Sequence, residues 1–158
     1  MQKENYMHNL LFDDAYTIIN EAVHHTADVQ LHSWAQTFEK ALEQLVVAFY
    51  GTSNHLETVK TEYSMDIKET EHDRESMIHS ILEECLYLFD TEPFFIGRKV
   101  EVIRYNSEKC EIKIRAFGEL FDKTRDPSGT AVKAIKYSTM QIHDNIGGKV
   151  HIYVIVDI

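Results

Sequence analysis

At 158 residues, with 44% hydrophobic and 27% charged side chains, the chain has the size and composition of one globular domain, not of a disordered or fibrous protein. A formal net charge of -10 argues against direct gripping of phosphate backbones, because nucleic-acid affinity comes chiefly from Lys and Arg neutralising phosphates. Two cysteines are too few for a disulfide framework and no apolar run approaches the roughly 18 residues of a membrane span, so a protein of the cytoplasm, the nucleus or both is expected, with neither signal peptide nor membrane partner.

Residues 1–23 show no clear period and are predicted to be an N-terminal extension, either unstructured or a short helix. The domain itself is placed at 24–158 and opens with a strand at 28–34. Phe38, Ala41, Leu42, Leu45, Val46 and Phe49 then share one helical face, with Glu39, Lys40, Glu43 and Gln44 opposite. Thr37 is placed to cap that helix and Gly51 to end it. A strand at 59–69 precedes a second amphipathic helix through Ile78, Ile81, Leu82, Cys85, Leu86 and Phe89, opened by Asp73 and closed before Pro93. Strands at 99–104 and 111–117 alternate in character and are joined through Asn106 and Ser107. A turn through Asp126, Pro127, Ser128 and Gly129 leads to a less regular β-rich stretch at 132–142. Gly147 and Gly148 introduce 150–156, apolar at nearly every position and predicted to be a central strand buried on both faces. Together these elements predict an α/β domain of the α+β kind: two layers, a mixed sheet of about six strands, and both helices packed on one face.

Enzyme signatures are missing: there is no glycine-rich phosphate loop, nucleophile elbow, paired-His zinc helix or dinucleotide fingerprint, and no catalytic residue is assigned. His24, His25 and His32 cluster near the first strand but lack zinc-site spacing, so they are taken as surface or hydrogen-bonding residues. Cys85, on an apolar helix face, is expected to be a buried, inert thiol. Asp157 and the terminal Ile158 follow an apolar strand, which puts a side-chain and a main-chain carboxylate close together. With Asp28 at the start of the first strand they make three hard oxygen donors that could hold Ca²⁺ or Mg²⁺ if the fold unites them. Taken alone, the residues favour a plainer reading, a solvated chain end and a strand-capping aspartate.

Several blocks point further. His25-Thr26-Ala27-Asp28 ahead of the first helix, Leu86-Tyr87-Leu88-Phe89-Asp90, Gly118-Glu119, Gly129-Thr130 with Val132-Lys133-Ala134-Ile135 and Tyr137, and the closing Val156-Asp157-Ile158 resemble, in order, blocks of the archease family. The resemblance spans 24–158. It implies a non-catalytic accessory protein of the RtcB-type RNA ligase, which joins tRNA exon halves using GTP and a divalent metal. Such a protein promotes transfer of GMP onto the ligase and so allows multiple turnover. GTP is then used by the ligase, and tRNA is met only indirectly. The resemblance also implies a bound divalent cation, Ca²⁺ first with Mg²⁺ or Mn²⁺ as alternatives, held by Asp28, Asp157 and the Ile158 carboxylate. Lys133 is implied as a contact to phosphate or to the ligase. Three positions depart from the family pattern: His24 replaces an aspartate, Ala131 a glutamate and Asp126 a histidine. Two other classes stay open, a small metal-dependent phosphoesterase and a chaperone-like binding module without a metal.

Overall fold

The computed structural model describes residues 2–9, 14–23, 26–122 and 132–158. Its elements run β1 (Gln2–Asn9), β2 (Asp14–Val23), β3 (Thr26–Ala35), α1 (Phe38–Gly51), a 3-10 turn at Leu56–Thr58, β4 (Tyr63–Thr70), α2 (Arg74–Asp90), β5 (Phe95–Asn106), β6 (Glu111–Leu120), β7 (Ala134–Ile146) and β8 (Lys149–Asp157). The strands build two sheets, in the orders β1-β2-β3-β8-β7 and β4-β6-β5, and every pairing among the described residues is antiparallel. The α+β class is as expected, whereas the single mixed sheet of about six strands is replaced by two antiparallel ones. The connections explain this. Short turns join β5 to β6 and β7 to β8, which only antiparallel neighbours allow, and the helical crossover from β3 through α1 delivers β4 to the other sheet.

Both helices form where their local signals lie. Thr37 accepts a hydrogen bond from the Lys40 N–H at 3.2 Å and Asp73 one from the Ser76 N–H at 2.7 Å, caps worth about 1 kcal/mol each. Rather than covering one face of one sheet, α1 packs on β2, β3 and β8 and also on β5, while α2 packs on β7 and on β4 and β5. Each helix therefore touches both sheets, and the buried residues join in one hydrophobic core. Glu43, expected on the polar face of α1, is only 9% exposed. Its carboxylate accepts the Val102 N–H at 2.8 Å, beside an irregularity of β5 between Val102 and Arg104 where the strand ladder leaves backbone donors to be satisfied elsewhere.

Within the stretch 1–23, predicted to be an extension or a short helix, residues 2–9 and 14–23 form β1 and β2 at one side of the larger sheet. Tyr16, Thr17 and Ile18 in β2 are consecutive and all buried, so these three residues show no alternation for a sequence reading to detect. β8 lies between β3 and β7, but is not buried on both faces. Val150, Ile152, Val154 and Val156 are buried, while His151, Tyr153, Ile155 and Asp157 are half-buried on the opposite face. The turn foreseen at 126–129 lies outside the described residues. No described helix is long and apolar enough to cross a membrane.

Candidate functional site

Strand register assembles the site. In β3 the inward residues are Val29, Leu31, Ser33 and Ala35, which leaves Asp28, Gln30, His32 and Trp34 on the outer face. β8 runs antiparallel beside it with Asp28 directly opposite Asp157, and β7 places Ala134 opposite Asp157 from the other side. The two aspartates named from the sequence thus face each other across adjacent strands on one surface. Like charges directly opposite are destabilising by a few tenths to about 1 kcal/mol, so the pair calls for a positive charge.

Lys136 supplies one. From β7 its side chain crosses β8, a reach of about two strand spacings of 4.8 Å, and its Nζ donates to Asp28 Oδ1 at 3.2 Å and Oδ2 at 3.1 Å. The same ammonium stands 3.3 Å from Asp157 Oδ1. Hydrogen bonding with the Asp157 side chain, and then with Lys136, holds the Asp28 carboxyl below its ordinary value, and the contacts with Asp28 and Asp157 raise that of Lys136. Lys133 sits next to this group through its backbone, its N–H donating to the Asp157 carbonyl at 2.8 Å, while its side chain is exposed. Ile158 follows Asp157 directly, and its side chain packs partly against the core. Among the described residues no three His, Cys, Asp or Glu side chains come together as a metal site. The candidate centre has two side-chain carboxylates, those of Asp28 and Asp157.

The residues match a known family. The model of the Archease protein family (MTH1598/TM1083) matches residues 21–158. The chain belongs to the archease family. A "Protein archease" of Ictalurus punctatus is 40% identical over 146 residues, covering 90% of this chain and 89% of that protein. A "Protein archease-like" of Drosophila melanogaster is 38% identical over 139 residues, covering 87% and 89%. A "Protein archease" of Pyrococcus furiosus is 32% identical over 122 residues, covering 77% and 86%. The solution structure of Methanobacterium thermoautotrophicum protein 1598 shares the fold with a TM-score of 0.65 at 19% identity, over 88% of this chain and 96% of that one.

Of the archease blocks, the terminal one and the aspartate of the first are brought together by the β3–β8 register. His24, His25, Asp126, Gly129, Thr130 and Ala131 lie outside the described residues. Sequence reasoning missed Lys136, and the reason is geometric. A straight strand continuing the match of Gln141 with Tyr153 would set Tyr137 opposite Asp157. Instead the register steps from Gln141 opposite Tyr153 to Lys136 opposite Ile155, so that five positions of β7 span two of β8. Tyr137 is diverted toward α2, where its hydroxyl lies 3.3 Å from Ser76 Oγ and its ring meets His79 edge-on.

The same outer face carries rings. His32 stacks on Tyr153 with centroids 4.1 Å apart, and His32 Nε2 lies 2.9 Å from His151 Nδ1. His151 Nε2 donates to the Ile146 carbonyl at 3.2 Å, so His151 Nδ1 accepts and His32 Nε2 donates. Burial, then the neighbouring His151, pulls His32 from 6.5 down to about 4. Between those values the unfolded chain binds the additional proton, so the contribution of His32 to stability is fully present above about pH 6.5, falls as pH drops, and is fully lost below about 4. Discounted for a half-exposed ring, the loss is about 1 kcal/mol. Urea unfolding at pH 7.5 and 4.5 should show a drop larger by that amount in the wild type than in His32→Gln. Cys85 is fully buried, its thiol pushed up to about 12 by burial, in keeping with an inert core residue.

Proposed function

We propose that this chain is a non-catalytic accessory protein of an RtcB-type RNA-splicing ligase, promoting guanylylation of the ligase and so its multiple turnover, with a divalent cation held at Asp28, Asp157 and the Ile158 carboxylate. Family membership over residues 21–158 supports the partner. The observation that carries the reading is the placement of Asp28 opposite Asp157 with a positive charge already lodged between them. Side chains at the two ends of the domain sequence converge there on one surface.

The donor set fits a hard cation. Two carboxylates on a strand pair, with the main-chain carboxylate of the next residue, are the oxygen ligands Ca²⁺ and Mg²⁺ take, and the Lys136 ammonium occupies the position of a cation among them. When bound, the ion would supply a fixed positive centre on a protein of net charge -10. Asp28 and Asp157 would orient it, and the exposed Lys133 side chain beside them would meet the ligase or a phosphate of its nucleotide. The acidic balance suits a protein partner in the cytoplasm or nucleus, with tRNA reached only through the ligase.

The test is a ligation assay with purified ligase, GTP, divalent metal and excess RNA halves. Product should exceed the amount of ligase many-fold with this chain present and stall near one equivalent without it, and ligase–GMP adduct should form faster. Equal product with and without the chain would end the proposal.

A further inference from the structure

The cation that Asp28 and Asp157 hold belongs to the chain itself. Lys136 Nζ stands 3.1 and 3.2 Å from the two Asp28 oxygens and 3.3 Å from Asp157 Oδ1, so its hydrogens are directed at the same lone pairs a metal would use. A divalent ion takes carboxylate oxygens at about 2.0–2.6 Å, which leaves no room for an ammonium bonded to the same three atoms, and the two positive charges would repel.

We propose that Lys136 is a tethered competitor of the divalent cation. The ion enters only as the Lys136 ammonium withdraws, so this side chain sets the affinity of the centre and neutralises the aspartate pair when metal is scarce. The inference rests on the cation reading under Proposed function and adds the element that regulates it.

Three observations carry it. The Lys136 side chain is 39% exposed, so it has solvent to withdraw into. The strand irregularity begins at Lys136 itself: residues 137–140 intervene before pairing with β8 resumes, and Thr139 Oγ1 donates to the Lys136 carbonyl at 3.3 Å, which anchors the backbone while the side chain moves. Finally, Lys133 lies equally close in sequence, yet it is bound to Asp157 through its backbone N–H and its side chain is exposed, so the ammonium on the carboxylates is that of Lys136.

The experiment is calorimetric titration of the full chain with CaCl₂, comparing wild type, Lys136→Gln and the double variant Lys136→Gln with Asp28→Asn. Lys136→Gln should bind Ca²⁺ at least about tenfold more tightly than wild type, the change expected when one nearby positive charge is removed. The double variant should lose that heat. In EDTA, Lys136→Gln should melt below wild type, and Ca²⁺ should raise its melting temperature by the larger step. Equal affinity of wild type and Lys136→Gln overturns the competition while leaving the cation centre standing. No heat and no Ca²⁺-dependent melting shift in either protein overturns the centre and the competition together. A readout on the wild type needs no variant: amine acetylation followed by mass spectrometry should label Lys136 more in Ca²⁺ than in EDTA, with Lys133 unchanged. Unchanged Lys136 labelling in protein that binds Ca²⁺ also overturns the inference.

Discussion

Asp28→Ala and Asp157→Ala are each expected to return multiple-turnover ligation to its rate without the accessory chain, a loss of at least about tenfold, while the protein stays folded. Function and stability separate here because of the local charge balance. Asp28 and Asp157 face each other directly, so removing either relieves a like-charge contact and leaves Lys136 paired with the other. Exposed ion pairs of this kind contribute about 0–1 kcal/mol, and no buried donor is orphaned, so the melting temperature should move by only a few degrees. A cation centre, in contrast, depends on its ligand count, and losing one of two side-chain carboxylates removes much of its affinity. Ligation with excess RNA halves, together with a thermal melt by circular dichroism, checks both sides of the expectation. Full stimulation by both variants would leave the aspartates without a role in activation.

What the sequence disclosed and what it hid follow the range of the interactions involved. α1 and α2 were legible because their signals are local: a cap at Thr37 or Asp73 and an apolar stripe within the next few turns. The hairpin of β5 and β6 and the Gly147–Gly148 turn were legible for the same reason; both glycines take positive φ, 62° and 77°, as a tight two-residue connection demands. Which strands share a sheet is decided by pairing between distant segments, and no local pattern in β4 or β8 reports it. Nor does any periodicity bring Asp28 to Asp157. The family blocks nominated both, and their juxtaposition is a property of the β3–β8 register alone. Lys136 was hidden for a third reason. Its position depends on a slip in register between Lys136 and Gln141, and a period of two cannot foretell where a strand departs from that period. β8 misled differently, since His151 and Tyr153 on its outer face engage His32 and Trp34 in a ring cluster that reads, by composition, like core.

Gly118→Ala is expected to cost at least about 3 kcal/mol of stability, a large effect for one methyl group. Gly118 on β6 is paired with Gly97 on β5, next to the irregularity between Gly97 and Lys99. A Cβ at Gly118 would overlap the Ile96 carbonyl oxygen and stand 2.9 Å from Gly97 Cα. These are backbone atoms of the neighbouring strand, and they cannot rotate away as a side chain could. Gly97 is tight on its other side, where a Cβ would lie 2.5 Å from the Tyr50 ring, so β5 cannot yield by moving toward α1. The strand is held between two surfaces that each require glycine, with the buried Phe95 and Ile96 in the adjoining core. Gly148→Ala is the informative contrast. Nothing lies within 4 Å of its missing Cβ, so its cost is only that of the left-handed backbone at φ 77°, about 1–2 kcal/mol. Urea unfolding of both variants should therefore rank Gly118→Ala well below Gly148→Ala, and a reversed order would show that the close approach of β5 to β6 is softer than drawn. Because Gly118 belongs to the sheet that does not contain Asp28, the remaining folded fraction of Gly118→Ala should stimulate ligation as wild type does per molecule. Asp28→Ala behaves in the opposite way, keeping the fold and losing the stimulation, so the two variants separate the scaffold from the centre it carries.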